Sequence, residues 1–559
     1  MRKFSQLACI ILFSLPAFAA GGTCPSGANY LNSSGSLVTL STLGVTSCYY
    51  VSKSAGSDSN AGTTEASPWA HLPGMPSCTS NCAANTPTGG VGYILRGGDT
   101  WVGSDLGVHW QWDGTSASAP IYVGVDPTWF SGSSWARPIW SCASTAPGCS
   151  SSGPQGGSVI WFVNNNYVTL DDIEATGFQT AGGVEDTLFY TYSGILNYER
   201  LYIHGWSHST SGDSDNSNVF GGGNGGPISG TCVHDSVIDG SDTTGDMLAA
   251  FLGDMPCAYD NIVKDVTNGF EGTFNIAFNN LVGPINNCFT PGGCHQNAMY
   301  NFAAESGSTI LIYDNIITGN TCPVCGGVIK LWLAGNGAFP GTGYVFNNVI
   351  YNNTDGGGNF VALGGHDAIN YGTWDFFNNT VECGTDASLA TGCADNLGGT
   401  NGMTLTFNAY NNHWINATGS GAVTCSFGIT CNNTTDLTQT LTTAKGQGYT
   451  SSSVYALQPA SGSGGTVGSG TNEQSLCTAI GSATIGGFSS SYATAAATAC
   501  KNDTGYACSY NTGNHTVTCP DRTELPRPAS GAWDIGAYQS SSSQVQAPPP
   551  PTNLKYTLQ

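Results

Sequence analysis

Tyr313-Asp314-Asn315-Ile316-Ile317, Phe346-Asn347-Asn348-Val349-Ile350 and Phe377-Asn378-Asn379-Thr380-Val381 are three copies of one phrase: β-forming residues on either side of an Asp/Asn corner. The phrase recurs upstream around Asp172, Arg200, Asp235, Asn261 and Asn280, and downstream around Asn412. With the second corner residue as the mark, the steps are 28, 35, 26, 19, 35, 33, 31 and 33 residues. A repeat of this size means stacked units, none of which can bury its apolar face alone. Each unit carries short alternating runs of Val, Ile, Phe and Tyr bounded by Gly, Asn and Asp, which describes strands rather than helices. Asn and Asp tolerate the left-handed backbone of a sharp corner, and identical asparagines stacked coil on coil can form a hydrogen-bonded ladder. The expected fold is therefore all-β, a right-handed parallel β-helix with capping segments. Propeller blades of about 40 residues or more do not fit the shorter steps.

The chain has 559 residues, long for one compact core but not for a solenoid that grows by adding coils. Residues 1–20 read as a secretory signal peptide: Arg2 and Lys3, then the apolar run Leu7 to Phe18, then Ala17-Phe18-Ala19. The expectation is a secreted protein with no membrane span, since no later apolar run is long enough to cross a bilayer. Without Cys9 in that segment there are 20 cysteines, an even number suited to disulfides in an oxidising compartment. Local pairing is the simplest scheme: 24–48, 78–82, 142–149, 232–257, 288–294, 322–325, 383–393, 425–431, 477–500 and 508–519. Cys322-Pro323-Val324-Cys325 could also be a redox or zinc motif, but no second such pair and no βαβ pattern accompany it. Past the signal, 11 basic side chains face 36 acidic ones, a net charge of −25. That excludes nucleic acid and anionic membranes as natural partners, and leaves an acidic glycan only bridging cations or the few basic residues of the repeat, Arg200, Lys264 and Lys330.

Both ends of the repeat are distinctive. The opening stretch is Tyr49-Tyr50-Val51-Ser52, Gly56-Ser57-Asp58-Ser59-Asn60-Ala61-Gly62-Thr63, Ser67-Pro68 and Gly98-Asp99. The closing one is Arg527-Pro528 and Gly531-Ala532-Trp533-Asp534-Ile535-Gly536-Ala537-Tyr538-Gln539. Together they resemble the first and last segments of secreted right-handed parallel β-helix proteins of the pectate-lyase-like superfamily, with Gln539 where an acidic residue is usual. The resemblance implies polysaccharide binding or cleavage, by β-elimination or hydrolysis, in a groove along the coils. The expected organisation is a signal at 1–20, a leader or first cap at 21–48, the β-helix at 49–420, C-terminal coils and cap at 421–539, and a Pro/Ser-rich tail at 540–559.

Candidate site residues follow from chemistry. Lys330 stands among apolar neighbours on a predicted strand, where desolvation would lower its pKa and make it a base for abstracting a proton α to a carboxylate; some resembling lyases use a lysine in this way together with Ca²⁺. An outward lysine that discourages strand aggregation would look the same. His295 opens the preceding coil beside Asn297, and a histidine carries protons near neutrality. Asn297 and Lys330 each lie 18 residues before their corner marks, which predicts adjacent strands and a shared mouth. Asp246, Asp254 and Glu271 fall in an acid-rich region, where two carboxyls would serve glycoside hydrolysis, with Glu271 and Asp254 as acid and base or nucleophile. Asp246 and Asp254 would equally suit Ca²⁺, the one cofactor expected. For any single acid, a turn-capping or solvated role is the plain alternative. Trp206 and Trp332 are candidate sugar-stacking rings, although many β-helix aromatics sit inside the core. The resulting expectation is a monomeric polysaccharide lyase or glycoside hydrolase acting on an extracellular polysaccharide, with a non-catalytic glycan-binding or adhesin-like protein as the alternative.

Overall fold

The computed structural model describes residues 22–541 except, chiefly, 143–159, 181–185, 209–216, 223–229, 243–248, 286–295, 302–307, 320–327, 334–340, 353–359, 364–369, 384–392, 397–403 and most of 417–428. The described chain winds into a right-handed parallel β-helix with three sheets of fourteen, ten and twelve strands. One coil shows the route. Ile276–Phe278 lies in the first sheet, the Asn279-Asn280 corner turns the chain into Leu281–Val282 of the third sheet, and the chain then crosses to Gln296–Asn301 of the second. The next coil repeats the order, and its strands pair in parallel with those below. The only antiparallel member of the three large sheets is Gly22–Thr23, against Ser47–Val51.

The corner explains the repeat. Its first residue takes the left-handed conformation coil after coil, at Asp260, Asn279, Asp314, Asn347, Asn378 and Asn411. Asx side chains tolerate that backbone better than other non-glycine residues. Its second residue builds the ladder. Each Nδ2 donates forward to the next Oδ1, from Asn261 to Asn280 (3.0 Å), Asn315 (2.9 Å), Asn348 (3.0 Å), Asn379 (2.9 Å) and Asn412 (3.1 Å). The other amide hydrogen goes back to a carbonyl of the preceding coil, as from Asn315 to Ala277 and from Asn348 to Ile312. Oδ1 also accepts a backbone N–H, so these buried amides are fully paired. The sequence marks slip by one residue in the first three coils. Asp172, Arg200 and Asp235 are left-handed first corner residues, so Ile173, Leu201 and Ser236 hold the ladder position there.

The opening motif is a folding device. The Asp58 carboxylate accepts from the backbone N–H groups of Ala70, His71 and Thr79, each at 3.0 Å, pinning the turn to the first coil. The hydroxyls of Ser52 and Ser54 both donate to Asp99 at 2.6 Å. The closing motif corrects an expectation. It covers the flank of the stack rather than its open end, because the outer face at the corner is a column of aromatic rings. His234, Tyr259, Phe278, Tyr313, Phe346 and Phe377 stack in sequence at 4.6–5.1 Å. Residues 441–540 run back along this column: Ile480, Ala493, Ala496 and Trp533 pack against the first-sheet side, while Tyr449, Ala507 and Tyr538 cover the third. Arg527 is buried over the Trp533 ring and donates to Asn347 Oδ1 (2.9 Å) and to the Gly536 carbonyl (3.2 Å). Asn378 Nδ2 donates to the carbonyls of Asp534 and Gly536. The motif therefore reads the corner column.

Seven expected disulfides are present, 24–48, 78–82, 232–257, 383–393, 425–431, 477–500 and 508–519, in keeping with an oxidising compartment. The other three pairings involve residues outside the described ones, and the signal, most of the tail and all of Cys322-Pro323-Val324-Cys325 lie outside them too. No described helix is long and apolar enough to cross a membrane.

Candidate functional site

With the first and third sheets covered along the corner by the C-terminal arm, the second sheet offers the remaining long face. Its strands line up residue for residue. On the inner side Phe189, Phe220, Phe251 and Phe270 stack at 5.4, 5.3 and 4.4 Å, and the row continues through Met299 and Leu331. In the adjacent register row, Glu271 pairs with Leu252 below and Tyr300 above, Tyr300 with Trp332 above it, and Leu252 with Gly221 and then Tyr190 below.

Glu271 is the chemical centre of this row. It is the middle residue of the short strand Phe270–Gly272, with Phe270 turned into the core. Its Oε2 is buried and has no hydrogen-bond partner among the described residues. No described cation forms an ion pair with it. Burial alone pushes its carboxyl up to about 7, because the anion loses water and gains nothing in return. A carboxyl that is half protonated near neutrality can give a proton to a departing oxygen and take one back.

The remaining candidates separate clearly. Asn297 is fully buried in the coil wall and away from a substrate surface, and its backbone N–H donates to Asn268 Oδ1 at 2.6 Å. Its strand does neighbour that of Lys330, but Asn297 pairs with Ile329. The one-residue offset arises because 12 residues separate Met299 from Leu311 while 13 separate their partners Leu331 and Tyr344. Trp206 is a core residue, 1% exposed, and its ring cannot stack on a sugar. Lys330 and Trp332 lie on the strand Val328–Leu333, in register with the coil of Tyr300; their side chains, and all of His295, Asp246 and Asp254, lie outside the described residues. The expected Ca²⁺ site therefore has no described ligand. Among the described residues one group could converge on a metal ion, Asp260 with Cys508 and Cys519, but those sulfurs are joined as a disulfide and do not suit Ca²⁺.

Sequence reasoning missed two charged clusters. On the third sheet His204 is held between Asp242 (Nδ1, 2.7 Å) and Glu174 (Nε2, 3.0 Å). Burial alone would lower its pKa, but the two carboxylates outweigh this and raise it. On the first sheet Arg200 bridges Asp171 (2.8 Å) and Glu199 (3.1 Å), and Tyr122 donates to Asp171 at 2.6 Å. Both clusters are internally paired. Only register, which brings Thr176 beside His204 and Asp171 beside Glu199, could have revealed them.

No family model matches the chain, and no curated protein matches it. Among solved structures, pectate lyase Pel9A is similar at 15% identity and a TM-score of 0.41, over 88% of this chain and 96% of that one. A rhamnogalacturonan lyase is similar at 16% identity and a TM-score of 0.35, over 70% and 87%. The GH136 lacto-N-biosidase of Eubacterium ramulus is similar at 12% identity and a TM-score of 0.34, over 69% and 68%. The fold assignment rests on the strand register rather than on these likenesses.

Proposed function

We propose that the protein is a secreted glycoside hydrolase that cleaves an extracellular polysaccharide along the second sheet, with Glu271 as the proton donor. The observation that carries this is the half-buried carboxyl itself, its Oε2 enclosed and without a partner among the described residues and its pKa lifted by desolvation to about 7, in a register row shared with Tyr300 and Trp332. The candidate for a partner carboxylate is Asp254, two positions after Leu252 in the sequence. The substrate is a neutral glycan. The chain carries an excess of negative charge, and the cations seen in ion pairs, Lys53, Arg137, Arg200, Lys264 and Arg522, are each matched to a carboxylate. An acidic polymer beside Glu271 would meet no such counter-charge among the described residues.

The test is product release from a panel of neutral and uronate polysaccharides, with and without a chelator. New reducing ends without unsaturated products, insensitive to chelator and lost in Glu271→Gln, are expected. Unsaturated ends lost in Lys330→Ala would establish β-elimination instead. Saturable binding with no product from any polymer would make the protein a glycan binder.

A further inference from the structure

Tyr192 is the one aromatic side chain more than a third exposed among the described residues, at 38%. Its place is not arbitrary. It follows the second-sheet strand Asp186–Thr191, in which Phe189 points into the core and Thr191 hydrogen-bonds the buried Tyr198 hydroxyl at 2.8 Å. Alternation puts Tyr190 and Tyr192 on the opposite, outer side. The Tyr192 N–H donates to the Phe162 carbonyl at 2.9 Å, which holds the residue in step with the coil below.

Tyr190 belongs to the same register row as Glu271, through Gly221 and Leu252, three rungs away. At the ~4.8 Å spacing of neighbouring strands, three rungs are about 14 Å, more than a single sugar ring spans. The rung next to Tyr190 presents glycine, which adds no side chain between the tyrosines and the carboxyl.

Resting on the hydrolase reading above, we infer that Tyr192, flanked by Tyr190, is a distal glycan subsite. Its flat apolar ring stacks on the C–H face of a sugar several units from the bond that Glu271 cleaves. The substrate is then the interior of a long neutral chain lying across the rungs, not a terminal disaccharide, and Tyr192 sets that preference.

The experiment uses the full chain carrying Glu271→Gln to stop turnover, with calorimetric titration of cellohexaose, xylohexaose and mannohexaose and of the matching disaccharides. Adding Tyr192→Ala is expected to weaken the bound hexaose at least tenfold and to lower the hexaose-to-disaccharide affinity ratio by a similar factor. Tyr192→Phe, which keeps the ring, restores the ratio and excludes a folding artefact. Unchanged hexaose affinity in Tyr192→Ala, or no hexaose bound by the parent, overturns the subsite. The two proposals fail separately. Product release by the wild type with a silent Tyr192→Ala removes the subsite alone, whereas Tyr192-dependent binding with no product from any polymer removes the hydrolase and leaves the subsite.

Discussion

The asparagine ladder at the corner and the second-sheet face are built from the same coils, yet their polar groups are paired differently. Along the corner, each ladder asparagine uses both amide hydrogens and its oxygen, and the arm closes over the column with Arg527 and Asn378 bonded across the contact. On the second sheet, Glu271 keeps a buried oxygen without a described partner, and Tyr192 faces solvent. Saturated polar groups rigidify, whereas an unsatisfied one is a standing cost that folding alone does not explain. The first corner residues Asn279, Asp314 and Asn378 also keep a buried oxygen without a described partner, so what sets Glu271 apart is its place on the sheet that the arm does not cover.

The sharpest way to break it is Glu271→Gln. Loss of a positioned general acid is expected to cut turnover about 100- to 10,000-fold while the melting temperature holds or rises, since a buried ionisable group is replaced by a neutral amide. Activity assay and calorimetry on one preparation decide it, and equal losses in both would return Glu271 to the scaffold. Asn348→Ala should do the reverse. It strands one amide hydrogen and the backbone N–H of Asn315, both of which Asn348 Oδ1 accepts, for a loss of roughly 3 kcal/mol in chemical denaturation.

Acidity sharpens the contrast further. Glu271 holds its proton in the folded state up to about 7 but releases it near 4.5 when unfolded. Between those values the native state binds more protons, so this group's stabilising contribution is present below pH 4.5 and is lost as pH rises toward 7. The melting temperature of the wild type should therefore fall more steeply across that window than that of Glu271→Gln; parallel curves would show that the carboxyl is not desolvated. The smallest effect is expected from Trp206→Phe, roughly 1–2 kcal/mol of stability with glycan affinity unchanged. A weakened affinity would mean that the ring reaches the substrate after all.

The coil was legible because its corner demands a rare backbone conformation that few residues accept, so Asp and Asn mark it in the chain. Legibility failed where the ladder position passes to Ile173, Leu201 and Ser236, which carry no amide and look like ordinary strand or turn residues. The closing motif was recognisable, but its position was not, since packing on a flank depends on contacts between residues as distant as Asn347 and Arg527. At the site, Glu271 could be named from composition. Its isolation could not, because desolvation is a property of neighbours brought in by other coils. Trp206 and Asn297 show the converse: a residue type suited to binding says nothing about which side of a strand wall it faces. Tyr192 had a signal that went unread, the in–out alternation of Phe189-Tyr190-Thr191-Tyr192.

The ladder ends on Asp436, whose Oδ1 accepts from the Asn412 amide at 3.0 Å and whose Oδ2 accepts from the Trp414 indole at 2.7 Å; burial lifts this carboxyl to about 7. Every amide before it passes a hydrogen onward, and a carboxylate only receives, so the series has a direction and a full stop. From Asn280 to Asn412 the rungs lie 31 to 35 residues apart and repeat the same bond, whereas the Asp436 carboxylate has no amide hydrogen to pass on. The ladder is thus repetitive within and closed at its last rung, while the arm ties particular coils to particular residues through Asn347 and Asn378.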